Sequence, residues 1–445
     1  MATDRYASSP QLDPTRPPVP MTSNPSPAPA RPEVASLRRE FPVLNHDLRP
    51  GIPLVYLDSG ATALKPQAVI DAVDAYNRDY PANVHRGLHL LSERATEAFE
   101  STRGVVAHFL GDCEPACVIF TRGTTESINL VAQSWGRTNL KPDDEILLTP
   151  LEHHSNLVPW QLVAQATGAR LVFTDLTEDG QVPLEFFQQK LSDRTKMVAV
   201  TAMSNVLGTV LPIPEIARLA HAAGAKILVD GAQSVPHAPT HVIDSNVDFL
   251  AFSGHKVYGP TGVGVLYGKR ELLEAMPPLF GGGSMVLRVE EQQSTWTEIP
   301  WKFEAGTPPI AEVIGLGAAI HFVLRAGYSR VIEHEHRLTQ YAHQKLADVE
   351  GLTILGPPPD HKGAILGMVV DRVHPHDLSQ FVDRYGVAIR AGHHCAMPLH
   401  KRLNQRATSR ASLALYNTTN DIDRLADAIT AARAYVINRP RKSRS

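Results

Sequence analysis

Seven short apolar or β-branched runs recur along the first two thirds of the chain: Cys117–Thr121, Glu145–Thr149, Arg170–Thr174, Met197–Thr201, Ile227–Asp230, Phe249–Ser253 and Val263–Tyr267. Most are separated by amphipathic or loop segments. Because the runs do not alternate strictly between apolar and polar, both of their faces must be covered, which predicts a mostly parallel sheet flanked by helices. After about Gly306 the pattern changes. Helical stretches over Ala311–Arg325 and from Tyr328 lead to strands near Leu352–Leu355 and Ile365–Val370. The chain closes on a helix from Ile422 to Val436, where Ile422, Leu425, Ile429, Ala432 and Val436 fall at helical spacing. The expectation is a large α/β domain over 33–305, whose N-terminal segment also contributes to the smaller domain, and a C-terminal α+β domain over 306–445. Residues 1–32 are proline-rich without hydrophobic periodicity, which predicts a disordered tail.

A chain of 445 residues exceeds what one ordinary core holds, consistent with two domains. No apolar run approaches the ~20 residues of a membrane helix. A net charge of −3 lacks the basic excess of a nucleic-acid binder, so a small ligand is expected. Only three cysteines occur, Cys113, Cys117 and Cys395, too few for a disulfide framework and suited to a reducing compartment. Cys113 and Cys117 have no second ligand pair to complete a zinc site, so they are expected to pack and no metal is expected. The N-terminus lacks the apolar stretch of a secretory signal, and Asp4 and Asp13 are out of place in a transit peptide. A cytoplasmic location is expected.

The chemistry concentrates at the ends of the predicted strands. D-F-L-A-F-S-G-H-K at Asp248–Lys256 is an apolar strand ending in a lysine among small residues, the setting in which a lysine forms a Schiff base with a planar cofactor. Alone, S-G-H-K would be only a turn with a solvated lysine. Upstream, I-L-V-D-G-A-Q at Ile227–Gln233 puts Asp230 where a strand meets its loop, able to hold a pyridine nitrogen protonated. Gln233 is placed to donate to a ring oxygen. T-R-G-T-T-E-S-I-N at Thr121–Asn129 passes from strand through a glycine turn into a helix, a phosphate cradle in which Thr124 and Thr125 face the anion. L-E-H-H-S-N at Leu151–Asn156 brings an imidazole to the same edge, where one histidine could stack on a ring. Ligands of α/β sheets bind at the carboxyl ends of the strands, and all four elements fall there.

Together S-G-H-K, V-D-G-A-Q and E-H-H-x-N resemble the class V aminotransferase group of the fold-type I pyridoxal-phosphate enzymes, from Phe41 to the last helix. Within that group, R-A-G-H-H-C-A-M-P at Arg390–Pro398 and R-A-S-L-A-L-Y-N at Arg410–Asn417 resemble the SufS-type, group II cysteine desulfurases. The resemblance implies a homodimeric fold-type I transferase in which Lys256 carries pyridoxal 5'-phosphate, Asp230 and Gln233 contact the ring, and His153 stacks above it. It further implies Thr124, Thr125, Ser253 and His255 at the phosphate, joined by Thr307 from the neighbouring subunit, and Asn205 beside the ring oxygen. Arg410 is implied to bind the substrate carboxylate, with Arg390 and His85 alongside.

Cys395 follows a predicted strand over Val387–Arg390, with Arg390, His393 and His394 to favour its thiolate. On this reading Lys256, once freed, takes the α-proton of cysteine. Cys395 then attacks the substrate sulfur and keeps it as a persulfide while alanine leaves, with His153 as a plausible shuttle for the thiol proton. The short loop cannot carry sulfur far, which points to a SufE-like or SufU-like acceptor protein and iron–sulfur cluster assembly. By resemblance, His374 and His376 in V-H-P-H-D are candidates to engage such a partner. Selenocysteine is the nearest rival substrate. A cofactor-binding subunit without catalysis is the rival from another class, and intact Lys256, Cys395 and Arg410 speak against it.

Overall fold

The computed structural model describes residues 34–437, so the expected tail over 1–32 lies outside the described residues. All seven predicted runs are strands of one sheet: β1 (Val118–Thr121), β2 (Glu145–Leu148), β3 (Arg170–Phe173), β4 (Thr195–Thr201), β5 (Lys226–Asp230), β6 (Phe249–Ser253) and β7 (Gly264–Gly268). Their spatial order is β1-β7-β6-β5-β4-β2-β3, and only β7 runs antiparallel to its neighbours. The central strands are buried along their whole length, the two-sided burial that their unbroken apolar runs require. Helices α1 (Gln67–Asp79), α2 (Leu90–Phe109) and α3 (Thr124–Val131) pack with the sheet.

Because the sheet is parallel apart from β7, the ends of β1, β2, β4, β5 and β6 open on one edge. Gly264, which begins β7, lies opposite both Thr121 and Ser253 on that edge. A Cβ on Gly264 would fall 2.3 Å from the Gly123 Cα. A side chain there would therefore push apart the two turns that build the site.

A second core is formed by an antiparallel sheet, β8 (Leu352–Leu355), β9 (Ile365–Val370), β10 (Arg390–Gly392) and β11 (Thr408–Ser412), in the order β8-β9-β11-β10. Helices α5 (Tyr328–Ala347), α6 (Pro375–Asp383) and α7 (Thr419–Ile437) cover it, and Val55 and Leu57 from the N-terminal segment join its core. Two features differ from the sequence reading. Helix α4 (Ile310–Ala326) falls after the expected boundary at 306 yet packs in the first core, because it is apolar nearly all round and needs burial on every side. The predicted strand Val387–Arg390 is broken at Ile389. Val387–Ala388 pairs in parallel with Val55–Tyr56, while Arg390–Gly392 pairs with β11. Among the described residues no single helix is long and apolar enough to cross a membrane.

Candidate active site

The sheet edge and the second domain enclose a cavity of about 320 Å³. From the sheet come Thr124, Thr125, His153, Asn205, Asp230 and Gln233, followed by Ser253, His255 and Lys256. From the second domain come Arg390, His394, Cys395 and Arg410. Twelve of the fourteen site residues expected from sequence thus share one cavity. Thr307 and His85 do not. His85 lines a separate cavity with Gly306 and Pro308, bonded through Nε2 to Glu100 at 2.8 Å, and Thr307 lies exposed between those two residues. Their side chains do not reach this chain's own site.

Lys256 ends a short turn directly after β6. Burial pushes its ammonium down to about 8, against the opposing pull of Asp230, so it gives up its proton far more readily than an exposed lysine. The Asp230 carboxyl is pushed up by burial, opposed by Lys256 and by the Ala232 amide that it accepts at 2.9 Å. A second half-buried lysine, Lys65, donates to the His255 carbonyl at 3.1 Å and holds the turn from beneath. Ser253 Oγ accepts from the Thr124 amide at 2.8 Å and meets Thr124 Oγ1 at 2.7 Å, so the ends of β1 and β6 are tied into one polar cradle at the start of α3. Gln233 instead donates to the Gly60 carbonyl at 2.8 Å.

His153 is neutral, its ring pushed down to about 4, chiefly by burial and then by Lys256. Its Nδ1 accepts from the Ser155 amide at 3.1 Å, which places the proton of the neutral ring on Nε2. Nδ1 also lies 3.0 Å from Ser155 Oγ, so the ring turns Nε2 away from Ser155. Stacking and donation remain open to it. Below it lies an acid that sequence reasoning quoted but gave no role. Glu152 accepts from Thr149 Oγ1, Asn156 Nδ2 and the Thr201 amide, and burial pushes its carboxyl up to about 8. It clamps the ends of β2 and β4 together.

Cys395 is exposed at the cavity mouth. Its backbone and that of His394 are both left-handed, at φ +56° and +50°, a conformation that costs non-glycine residues of order 1 kcal/mol or more each. Hydrogen bonds hold it: the His154 amide donates to the Cys395 carbonyl at 2.7 Å, the Met397 amide to His154 Nε2 at 3.1 Å, and Asn205 Nδ2 to the His394 carbonyl at 2.7 Å. Arg410 is buried, donating to the Asn205 carbonyl at 3.0 Å while its Nε has no partner among the described residues. Cys113 and Cys117 are buried, their thiols pushed up to about 12 and about 11 by desolvation. His374 caps α6, its ring stacked on that of His376 at 5.3 Å, both exposed.

The residues fit a phosphorylated pyridine cofactor. A readily deprotonated amine, a buried acid and a hydroxyl-lined cradle at a helix start meet in one cavity, with a buried guanidinium whose Nε awaits an acceptor.

The His394 ring carries a pH signature. Burial first, then Arg410, pushes it from 6.5 down to about 3, so the unfolded chain gains a proton that the folded chain refuses between those values. Its contribution to stability is full above about pH 6.5 and is lost as pH falls towards about 3. The melting temperature of His394→Asn should therefore fall less steeply from pH 7 to pH 5 than that of the wild type. Parallel slopes in thermal melts would contradict this.

Comparison with known proteins agrees with the geometry. The aminotransferase class-V family profile matches residues 55–425. A probable cysteine desulfurase of Halalkalibacterium halodurans is 51% identical over 399 residues, covering 90% of this chain and 98% of that protein. The crystal structure of the Escherichia coli cysteine desulfurase CsdA superposes with a TM-score of 0.84 at 41% identity, covering 91% of this chain and 99% of the other. The apo cysteine desulfurase of Thermococcus onnurineus gives 0.85 at 37% identity, covering 89% and 97%.

Proposed function

The chain belongs to the aminotransferase class-V family and, within it, to the pyridoxal-phosphate-dependent cysteine desulfurases, and from that premise we propose that it moves sulfur from L-cysteine onto Cys395 and hands it to an acceptor protein. The observation that carries this reading is that Lys256, Arg410 and an exposed cysteine thiol line one cavity.

When bound, pyridoxal phosphate supplies an electrophilic carbon for amines and a sink for the electron pair left when the α-proton departs. Lys256 would hold it covalently, Asp230 would pair with the ring nitrogen, and Thr124, Thr125, Ser253 and His255 would take the phosphate. His153 would lie over the ring. Asn205 already positions the Cys395 loop and would sit at the ring oxygen, with Gln233 beside it if it turns from the Gly60 carbonyl. Arg410 would receive the substrate carboxylate at its buried guanidinium. Lys256 Nζ, whose ammonium burial lowers to about 8, would be the base that takes the α-proton. Cys395 Sγ, as thiolate, attacks the substrate sulfur; the S–S bond forms as the C–S bond breaks, and the electron pair of that bond stays with the carbon fragment, which is protonated to alanine. Sulfur remains on the enzyme as a persulfide.

A homodimer is part of the proposal. His85, Gly306 and Pro308 line a second cavity beside Thr307, and the nearby segments expose Leu88, Leu287 and Val289, an apolar surface suited to a partner that would bring Thr307 to the opposing site. The pinned Cys395 loop favours a SufE-like or SufU-like acceptor that comes to the thiol, with His374 and His376 exposed on the same domain. Iron–sulfur cluster assembly in the cytoplasm is the destination we favour, a reducing setting in keeping with three free cysteines. Incubation with cysteine in the absence of reductant should add the mass of one sulfur atom to the peptide bearing Cys395, with alanine formed in matching amount. Sulfur found on Cys113 or Cys117, or on no residue, would overturn the persulfide assignment.

A further inference from the structure

Two arginines of the cavity wall face each other across β10 and β11: Arg390 is the direct antiparallel partner of Arg410. Like charges directly opposite in a sheet are destabilising. The compensation is Asp58, whose backbone bridges to Ser412 at the end of β11. Arg390 Nε lies 3.1 and 3.2 Å from the two Asp58 oxygens and its Nη2 lies 2.9 Å from Oδ2, while Arg410 Nη2 lies 3.3 Å from Oδ1. Both arginines line the cavity and Asp58 does not, so the carboxylate stands behind them. Two guanidiniums share one carboxylate, and the cluster keeps one positive charge. Two titratable side chains beside the cluster stay neutral: Tyr56, pushed up to about 12 by burial and the Asp58 charge, and His394, pushed down to about 3 by burial and then by the two arginines. Arg390 and Cys395 line the same cavity, so releasing the guanidinium from Asp58 would change the field where a substrate side chain must lie.

We propose that Asp58 is a specificity-determining residue that neutralises one of the two arginines, leaving a single positive charge at the wall and so selecting amino acids with one carboxylate over those with two. This rests on the reading of Arg410 as the anchor of the substrate carboxylate. In Asp58→Asn the acceptor shape persists, but the second arginine is free to meet a second carboxylate.

The test uses the holoenzyme, with L-alanine and L-aspartate competing against cysteine turnover. In Asp58→Asn the ratio of the two competition constants should move about tenfold in favour of aspartate, the size of one charge-assisted hydrogen bond. A general loosening of the site would weaken both ligands and leave the ratio where it was, and an unmoved ratio overturns the inference. Should Asp58→Asn fail to fold with cofactor, Arg390→Ala carries the test. Asp58 then neutralises Arg410 alone, and alanine should compete about tenfold more weakly; unchanged competition overturns the inference. Arg410→Ala separates the two levels. If alanine still competes as in the wild type, the anchor reading is wrong and the role of Asp58 falls with it. If alanine weakens there but the ratio in Asp58→Asn stays fixed, only the role of Asp58 is refuted.

Discussion

Lys256→Ala should lose alanine formation from cysteine by about 10^4-fold or more, and its cofactor absorbance should wash out on dialysis. Two losses combine in this variant. The first is the covalent tether, without which the cofactor is held only by the polar cradle of Thr124, Thr125 and Ser253 and by the buried Asp230. The second is the base that takes the α-proton, a role worth about 10^2 to 10^4 in rate. The structure marks Lys256 for that role, since burial lowers its ammonium to about 8 while Asp230 keeps it from falling further. A small exogenous amine, entering where the side chain was, should restore part of the turnover and raise it further as pH increases. Retained activity, or cofactor absorbance that survives dialysis in Lys256→Ala, would rule out the assignment.

How much of this was legible in the sequence depends on the physics behind each feature. The seven strands were readable to within a residue or two because central strands buried on both faces must be continuous apolar runs. The site followed from them, since turns at the carboxyl ends of parallel strands converge whatever their separation along the chain. The break at Ile389 was not readable, because a short apolar stretch looks the same whether it serves one sheet or two. The tautomer of His153 depends on a single backbone amide two residues on, which no residue pattern encodes. Thr307 and His85 were identified by resemblance alone, and this chain's own cavity holds neither. Asp58 stood in no motif: its significance comes from the pairing of Arg390 with Arg410, a register that appears only when β10 and β11 are side by side.

Cys395→Ser should abolish sulfur release while leaving everything upstream of it intact. Serine keeps nearly the same shape in the left-handed turn held by His154 and Asn205, so the loop should stay in place. The hydroxyl is too weak a nucleophile to attack the substrate sulfur, and without that attack the C–S bond is retained. A loss of turnover on the order of 10^3-fold or more is expected, as for other enzymes deprived of their nucleophile. The work of Lys256 precedes that attack, so Cys395→Ser should retain its cofactor absorbance and still exchange the α-proton of bound amino acids with deuterated solvent. The two variants thus divide the reaction: Lys256→Ala stops exchange and sulfur release together, whereas Cys395→Ser stops only the second. Loss of exchange in Cys395→Ser would mean that the thiol shapes the site for the amine, and full turnover would remove it from the reaction. The same logic bounds the wild type. With its loop pinned and no acceptor or reductant present, each subunit should form about one alanine and stop, because the persulfide occupies the one thiol among the described residues that line the cavity.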